Sequence, residues 1–218
     1  WFRLQLNVGN SLIGARRETF GTNYRTQDTG VPARQGWKDA LPENVIWHWL
    51  LPDPGQGNFD DKTIRGIVPK DLERFKNWRK GWLADLTKTE QETLRRLTAK
   101  AEELWQTHAT QLDLLRRRTS DAYTLWPDVT IGEGKSGIRA KDQIVDGEMY
   151  SRHLHAASAY RRLKLCMDYW CALWFWPLEK SSLLPSRTEW LFELSAILQG
   201  TVDDAESSQE LSLFPSTA

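Results

Sequence analysis

The 218-residue chain has only two cysteines, two methionines and four histidines, and its formal net charge is zero. Two thiols, Cys166 and Cys171, make no disulfide framework, and they fit a reducing, cytoplasmic setting. Zero net charge excludes a uniformly basic coat and a polyanionic chain. The longest apolar run, Tyr169 to Leu178, covers ten residues, well short of the roughly twenty a membrane span needs. The first residue is Trp1, not Met, and the stretch reads as a piece of a longer polypeptide. What the chain has in excess is tryptophan, twelve copies without a fixed period, which argues against a repeat array and for aromatic core or interface material.

The neutral total hides a pattern. Residues 65–118 carry net +5 and residues 1–40 carry net +3. Residues 41–64 carry net −3 and the last eighteen net −4.

Alternation over Phe2–Val8 and the β-prone run Val45–Leu51 predict two short strands. Residues 15–44 read as loop-rich, and so does the glycine-containing stretch 127–147. Between and after them the pattern is helical. Pro69 suits a first helical position, with Asp71 and Glu73 in the first turn. Thr87 and Glu90 form a capping box ahead of Leu94, Leu97, Ala101, Leu104, His108, Leu112 and Leu115, a helix of about thirty residues by its periodicity. Ser158 caps a helix over Tyr160–Trp176 whose second half is apolar nearly all round and predicts a central buried element. Ser186 with Glu189 opens a last helix that Gly200 closes. The expected fold class is mainly α, with a long helix or helical hairpin and one or two short β-strands near the N-terminus. The expected division is 1–25 as strand and loop, 26–200 as a helical body, and 201–218 as an acidic linker or tail.

Catalytic signatures fail one by one. Gly9 and Gly14 have P-loop spacing, but Ala15 and Arg16 stand where Lys and Ser or Thr are needed. Cys166 and Cys171 point about 140° apart on a helix, too far to share a metal. On a strand, His48 would face away from Trp47 and Trp49. His153 and His155 lack zinc-site spacing, and His108 lies on the helical seam. Asp53, Asn58, Asp60 and Asp61 lack the calcium-loop pattern, and turn chemistry explains them better. The basic groups Arg16-Arg17, Arg95, Arg96, Lys100 and Arg116-Arg117-Arg118 allow two readings: helix-dipole complement and solvated surface, or contacts to a phosphate backbone. Arg161-Arg162 allows the same two.

Three blocks carry a resemblance: Leu4–Arg17 (LQLNVGNSLIGARR), Ile46–Gly55 (IWHWLLPDPG) and Tyr160–Pro177 (YRRLKLCMDYWCALWFWP). Together they resemble the large adenine-N6 DNA methyltransferases of the Eco57I-like class, including those of restriction-modification and DISARM-type phage-defence systems. The resemblance implies that Asn10, in the Gly-Asn-Ser-Leu segment after a core strand, meets the adenine of S-adenosylmethionine. It places the chain between the family's cofactor loop and its Asn-Pro-Pro-aromatic motif, neither of which is in this sequence. The implied role is a non-catalytic helical segment that positions double-stranded DNA or a partner subunit, joined to the rest of the methyltransferase chain. The rival expectation is a protein-interaction scaffold without a nucleic-acid role, which the tryptophan supply and the long helix fit equally well.

Overall fold

The computed structural model describes residues 14–21, 33–36, 39–59, 62–120, 123–125, 129–131, 137–154 and 158–200. Its element order is β1 (Glu18–Phe20), β2 (Ala33–Arg34), β3 (Ile46–Trp47), α1 (Lys62–Ile67), α2 (Pro69–Leu83), α3 (Lys88–Thr119), β4 (Tyr123–Leu125), β5 (Val129–Ile131), α4 (Ile138–Leu154), α5 (Ala159–Ala172) and α6 (Arg187–Gln199). Short 3-10 turns lie at His48–Leu50, Leu173–Phe175 and Leu178–Leu183. The protein is mainly α, with one dominant helix and a small antiparallel sheet of order β2-β1-β3 in its N-terminal part. Two compact units divide it. One comprises residues 12–102 and 164–201; the other contains 103–163. α3 and α5 each contribute to both.

The helix boundaries follow local chemistry. Pro69 opens α2, where a missing N–H costs nothing. Thr87 Oγ1 accepts from Glu90 N at 3.3 Å, and Glu90 Oε2 accepts from Thr87 N at 2.8 Å, a reciprocal cap that starts α3. Ser158 Oγ accepts from Arg161 N at 3.2 Å at the head of α5. Ser186 and Glu189 cap α6 reciprocally, and Gly200, at φ 73°, ends it in the left-handed region that favours glycine.

In the unit of residues 12–102 and 164–201, the core is built by Trp47, Trp49, Leu50, Phe75, Trp82, Leu94, Leu97, Trp170, Leu173, Trp190 and Leu194, all buried. Tryptophan has a double use here. Its ring fills volume while its indole N–H satisfies a loop carbonyl. Trp190 Nε1 donates to Leu50 O at 2.9 Å and Trp170 Nε1 to the neighbouring Leu51 O at 2.8 Å. Trp78 Nε1 reaches Pro185 O at 2.8 Å, and Trp176 Nε1 reaches Lys180 O at 3.0 Å. Irregular backbone is thereby held by the aromatic core. The turn after Pro52 is fixed in the same way. Gln56 is fully buried, accepts from Asp53 N at 2.9 Å and donates to Trp170 O at 2.9 Å. Gly57 at φ 66° passes so close to Phe75 that a Cβ would sit 2.9 Å from its ring.

The structure departs from the sequence reading at five places. The strand over Val45–Leu51 shortens to Ile46–Trp47 and turns into a 3-10 coil, so Trp47, His48, Trp49 and Leu50 are all buried. Alternation cannot bury four consecutive residues on one sheet face. The stretch 15–44 contains β1 and β2, whose pairing is long-range. The stretch 127–147 contains β5, which pairs with β4, and the start of α4. The predicted helix Tyr160–Trp176 keeps α-helical form only to Ala172. It also buries one stripe, Leu163, Cys166, Trp170 and Leu173, and Phe175 is exposed, so its second half is not enclosed all round. The predicted strand Phe2–Val8 and the tail 201–218 lie outside the described residues.

Candidate nucleic-acid interface

The eight basic residues singled out from the sequence have different fates. Arg17 is internal. Its side chain is only 8% exposed and pairs with Glu102 at 3.7 Å. Its Nε donates to Gly36 O at 3.0 Å, and its guanidinium lies 5.4 Å from the centre of the Trp47 ring. A cation so engaged holds β1 to the core and has no reach left for a phosphate. Arg16 points to solvent and lies 4.0 Å from Glu18.

Arg95, Arg96 and Lys100 lie on α3 within the first of the units described. Arg95 is half-buried with its Nε enclosed, whereas Arg96 is exposed. Glu92 and Glu103 flank Arg96 and Lys100 at helical spacings of four and three, which makes this face mixed in sign. Arg116, Arg117 and Arg118 end α3 within the other unit, all three exposed. Arg117 pairs with Asp113 at 2.9 Å, where both side chains are more than half exposed. Side-chain hydroxyls donate to some of the carbonyls near the end of α3. Thr119 Oγ1 donates to Leu115 O at 2.9 Å, and Ser120 Oγ donates to Arg117 O at 2.9 Å. Arg161 and Arg162 are half-buried near the head of α5.

Sequence reasoning passed over a further basic face. Residues 62–83 hold seven cations against two acids. On α2, Lys70, Lys76 and Lys80 are exposed, while Phe75 and Trp82 are buried on the other side. The signal was in the helical period: at 100° per residue these lysines share an arc of about 120°.

Of the residues weighed for chemistry, those described are built into the fold. His48 Nε2 accepts from Arg16 N at 2.8 Å and lies 3.1 Å from Arg16 O. Its ring meets Trp170 edge-on at 5.1 Å. Burial holds the imidazole below its ordinary pKa, against an upward pull from Glu18, the Arg16 backbone and Asp53, with the Arg16 charge adding to the lowering. Accepting from an N–H also requires Nε2 to be unprotonated. An unfolded histidine protonates near 6.5, whereas folded His48 resists until lower pH. Its contribution to stability is complete above about pH 6.5 and is lost as pH falls through the folded value. The melting-temperature advantage of wild type over His48→Gln is therefore expected to shrink between pH 7.5 and pH 5. An advantage that widens on acidification would contradict this geometry.

Burial pushes the Cys166 and Cys171 thiols up, Cys166 most, so neither is a thiolate at neutral pH. Asp53 Oδ1 accepts from Gly55 N at 2.7 Å, and Asn58 Oδ1 accepts from Arg79 Nη1 at 2.9 Å, which is turn and tether chemistry. His108 lies 5.1 Å from Tyr160, ring to ring. Asn10, Asp60, Asp61 and His155 lie outside the described residues, as does the side chain of His153. Among the described residues no group of three His, Cys, Asp or Glu side chains is placed to hold a metal ion. Among them, too, no helix is long and apolar enough to cross a membrane.

The basic faces can bind anionic surfaces by charge, and the exposed arginines can also do so by forked hydrogen bonds to phosphate oxygens. Compared with protein-family models, curated proteins and solved structures, the sequence finds no match in any of the three.

Proposed function

We propose that this chain is the helical segment of an S-adenosylmethionine-dependent adenine-N6 DNA methyltransferase of a restriction-modification or phage-defence system, and that it positions double-stranded DNA without itself carrying the reaction. The observation that supports DNA contact is the exposed triplet Arg116-Arg117-Arg118 at the end of α3. The methyltransferase identity rests on the three sequence blocks that resemble that class. Asn10 is the residue that the resemblance assigns to the cofactor, so S-adenosylmethionine enters the proposal through the resemblance alone.

Phosphate contacts supply most sequence-independent affinity, and each contact releases counterions. The chain is expected to bind a random-sequence duplex weakly. Triple replacement of Arg116, Arg117 and Arg118 by Ala is expected to weaken binding at least tenfold at 50 mM salt in a fluorescence anisotropy titration. Equal affinity of wild type and triple variant would remove these residues from the interface. Absence of binding by wild type would favour the second reading, a protein-interaction scaffold. That reading is supported by Phe175, Leu183 and Phe192, which are 62%, 66% and 73% exposed.

A further inference from the structure

We infer that the solvent face of α2, carried by Lys70, Lys76 and Lys80 with Asn77 between them, is a second phosphate-backbone contact surface for duplex DNA. The inference rests on the proposed reading for the identity of its partner.

The charge on this face is not spent inside the fold. Of the two acids on α2, Asp71 accepts from Ser181 Oγ at 2.6 Å and pairs with Arg74 at 3.2 Å, which leaves Glu73 as the acid on the outer arc. Arg79 turns inward, with Nη1 on Asn58 and Nη2 on Pro54 O at 2.8 Å. Among the described residues, no hydrogen bond or ion pair engages Lys70, Lys76 or Lys80. The contrast within the same unit is sharp. Lys164 pairs with Asp168, Arg187 is held by Glu90 and by backbone carbonyls, and Arg17 is buried against Glu102. Three lysines without a side-chain partner among the described residues thus stand together on α2.

Glu73, three residues from both Lys70 and Lys76, and the placement of Lys80 in the last turn offset only part of this charge. Lys76 and Lys80 stand four residues apart, a spacing at which like charges repel on a helix surface. Lys70 sits in the first turn, where the helix dipole disfavours a cation. The three lysines rise about 15 Å from Lys70 to Lys80 within that arc. Along that length a duplex presents about nine phosphate charges. Asn77, exposed near the Lys70 edge of the arc, offers an amide donor to a phosphate oxygen, while Glu73 stands at the centre of the arc.

The test is a salt titration of the 218-residue chain on a fluorescein-labelled 30-base-pair duplex between 50 and 200 mM NaCl. Four proteins are compared: wild type, Lys76→Gln with Lys80→Gln, Lys70→Gln, and the triple Ala variant at Arg116, Arg117 and Arg118. Each lysine lost is expected to reduce the slope of log Kobs against log salt by about 0.9. The double variant should thus lose close to two, with an unchanged thermal melt. A wild-type slope and affinity in both lysine variants, alongside weakened binding by the triple arginine variant, would overturn this inference and leave the proposed function standing. Weakening by the lysine variants with no effect of the arginines would uphold the α2 surface and remove the α3 terminus. A wild-type chain that fails to bind the duplex would overturn both.

Discussion

Replacing Arg187 with Ala is expected to destabilise the protein by about 3 kcal/mol. Arg187 is the first residue of α6, and its side chain is only 17% exposed. Its Nη2 donates to Gly81 O and Ala84 O, both at 2.6 Å, which satisfies carbonyls at the C-terminal end of α2. Its Nη1 donates to Asp85 O at 3.2 Å and to Glu90 Oε2 at 3.2 Å. Glu90 is the residue whose carboxylate caps the start of α3. The guanidinium also lies 5.7 Å from the centre of the Trp82 ring. One side chain therefore closes α2, steadies the α3 cap and ties both to α6. Its loss removes these bonds together and leaves the partly buried Glu90 carboxylate without its cation, the orphaned carboxylate alone costing about 1–3 kcal/mol. Lysine keeps the charge but lacks the planar fork, so Arg187→Lys should recover less than half of the loss. Urea melts of the three proteins check this. A loss below 1 kcal/mol for Arg187→Ala, the range of an exposed ion pair, would contradict it.

Trp190→Ala is expected to cost about 3–5 kcal/mol. Trp190 is fully buried. Its ring lies 6.3 Å from that of Trp82, edge-on, and 4.5 Å from that of Tyr169. Its N–H is the donor to Leu50 O. Trp190→Phe separates the two contributions. It keeps much of the volume but leaves the Leu50 carbonyl buried without this donor, at about 1–3 kcal/mol. Equal destabilisation by Phe and Ala would show that the ring volume contributes little, against the packing described here.

The α2 end of this network also explains how much of the molecule was legible in the sequence. Helix boundaries set by neighbours in the chain were readable: Pro69, Thr87 with Glu90, Ser158, and Ser186 with Glu189 act within a few residues, and each stands where its chemistry places it. Elements set by distant partners were not. β1 is three residues long and exists because Thr19 faces Ala33 on one side and Trp47 on the other. α4 runs through Gly147, a residue that costs a helix roughly 1 kcal/mol against Ala, while Val145 in the same helix is completely buried. Tertiary burial outweighs the local preference there. The same division applies to the basic residues. Arg17 and Arg116 look alike in sequence, yet one is enclosed by Trp47 and Glu102 and the other faces solvent. Arg187 carries no sequence signature, because most of its partners are backbone carbonyls. The lysines of α2 were readable from the helical period alone.

The fold thus assigns different work to different cations. Arg17, Arg79 and Arg187 are structural, each consumed by carbonyls, a carboxylate or an aromatic face. Arg116–Arg118 and the α2 lysines lie outward, and the proposed DNA-positioning role rests on them.

The most direct measurement is the salt dependence of duplex binding by the unaltered chain. Engagement of the three arginines alone requires a slope of log Kobs against log salt of about −3, and the α2 lysines steepen it. A slope near zero, or no binding at 50 mM salt, would contradict the account.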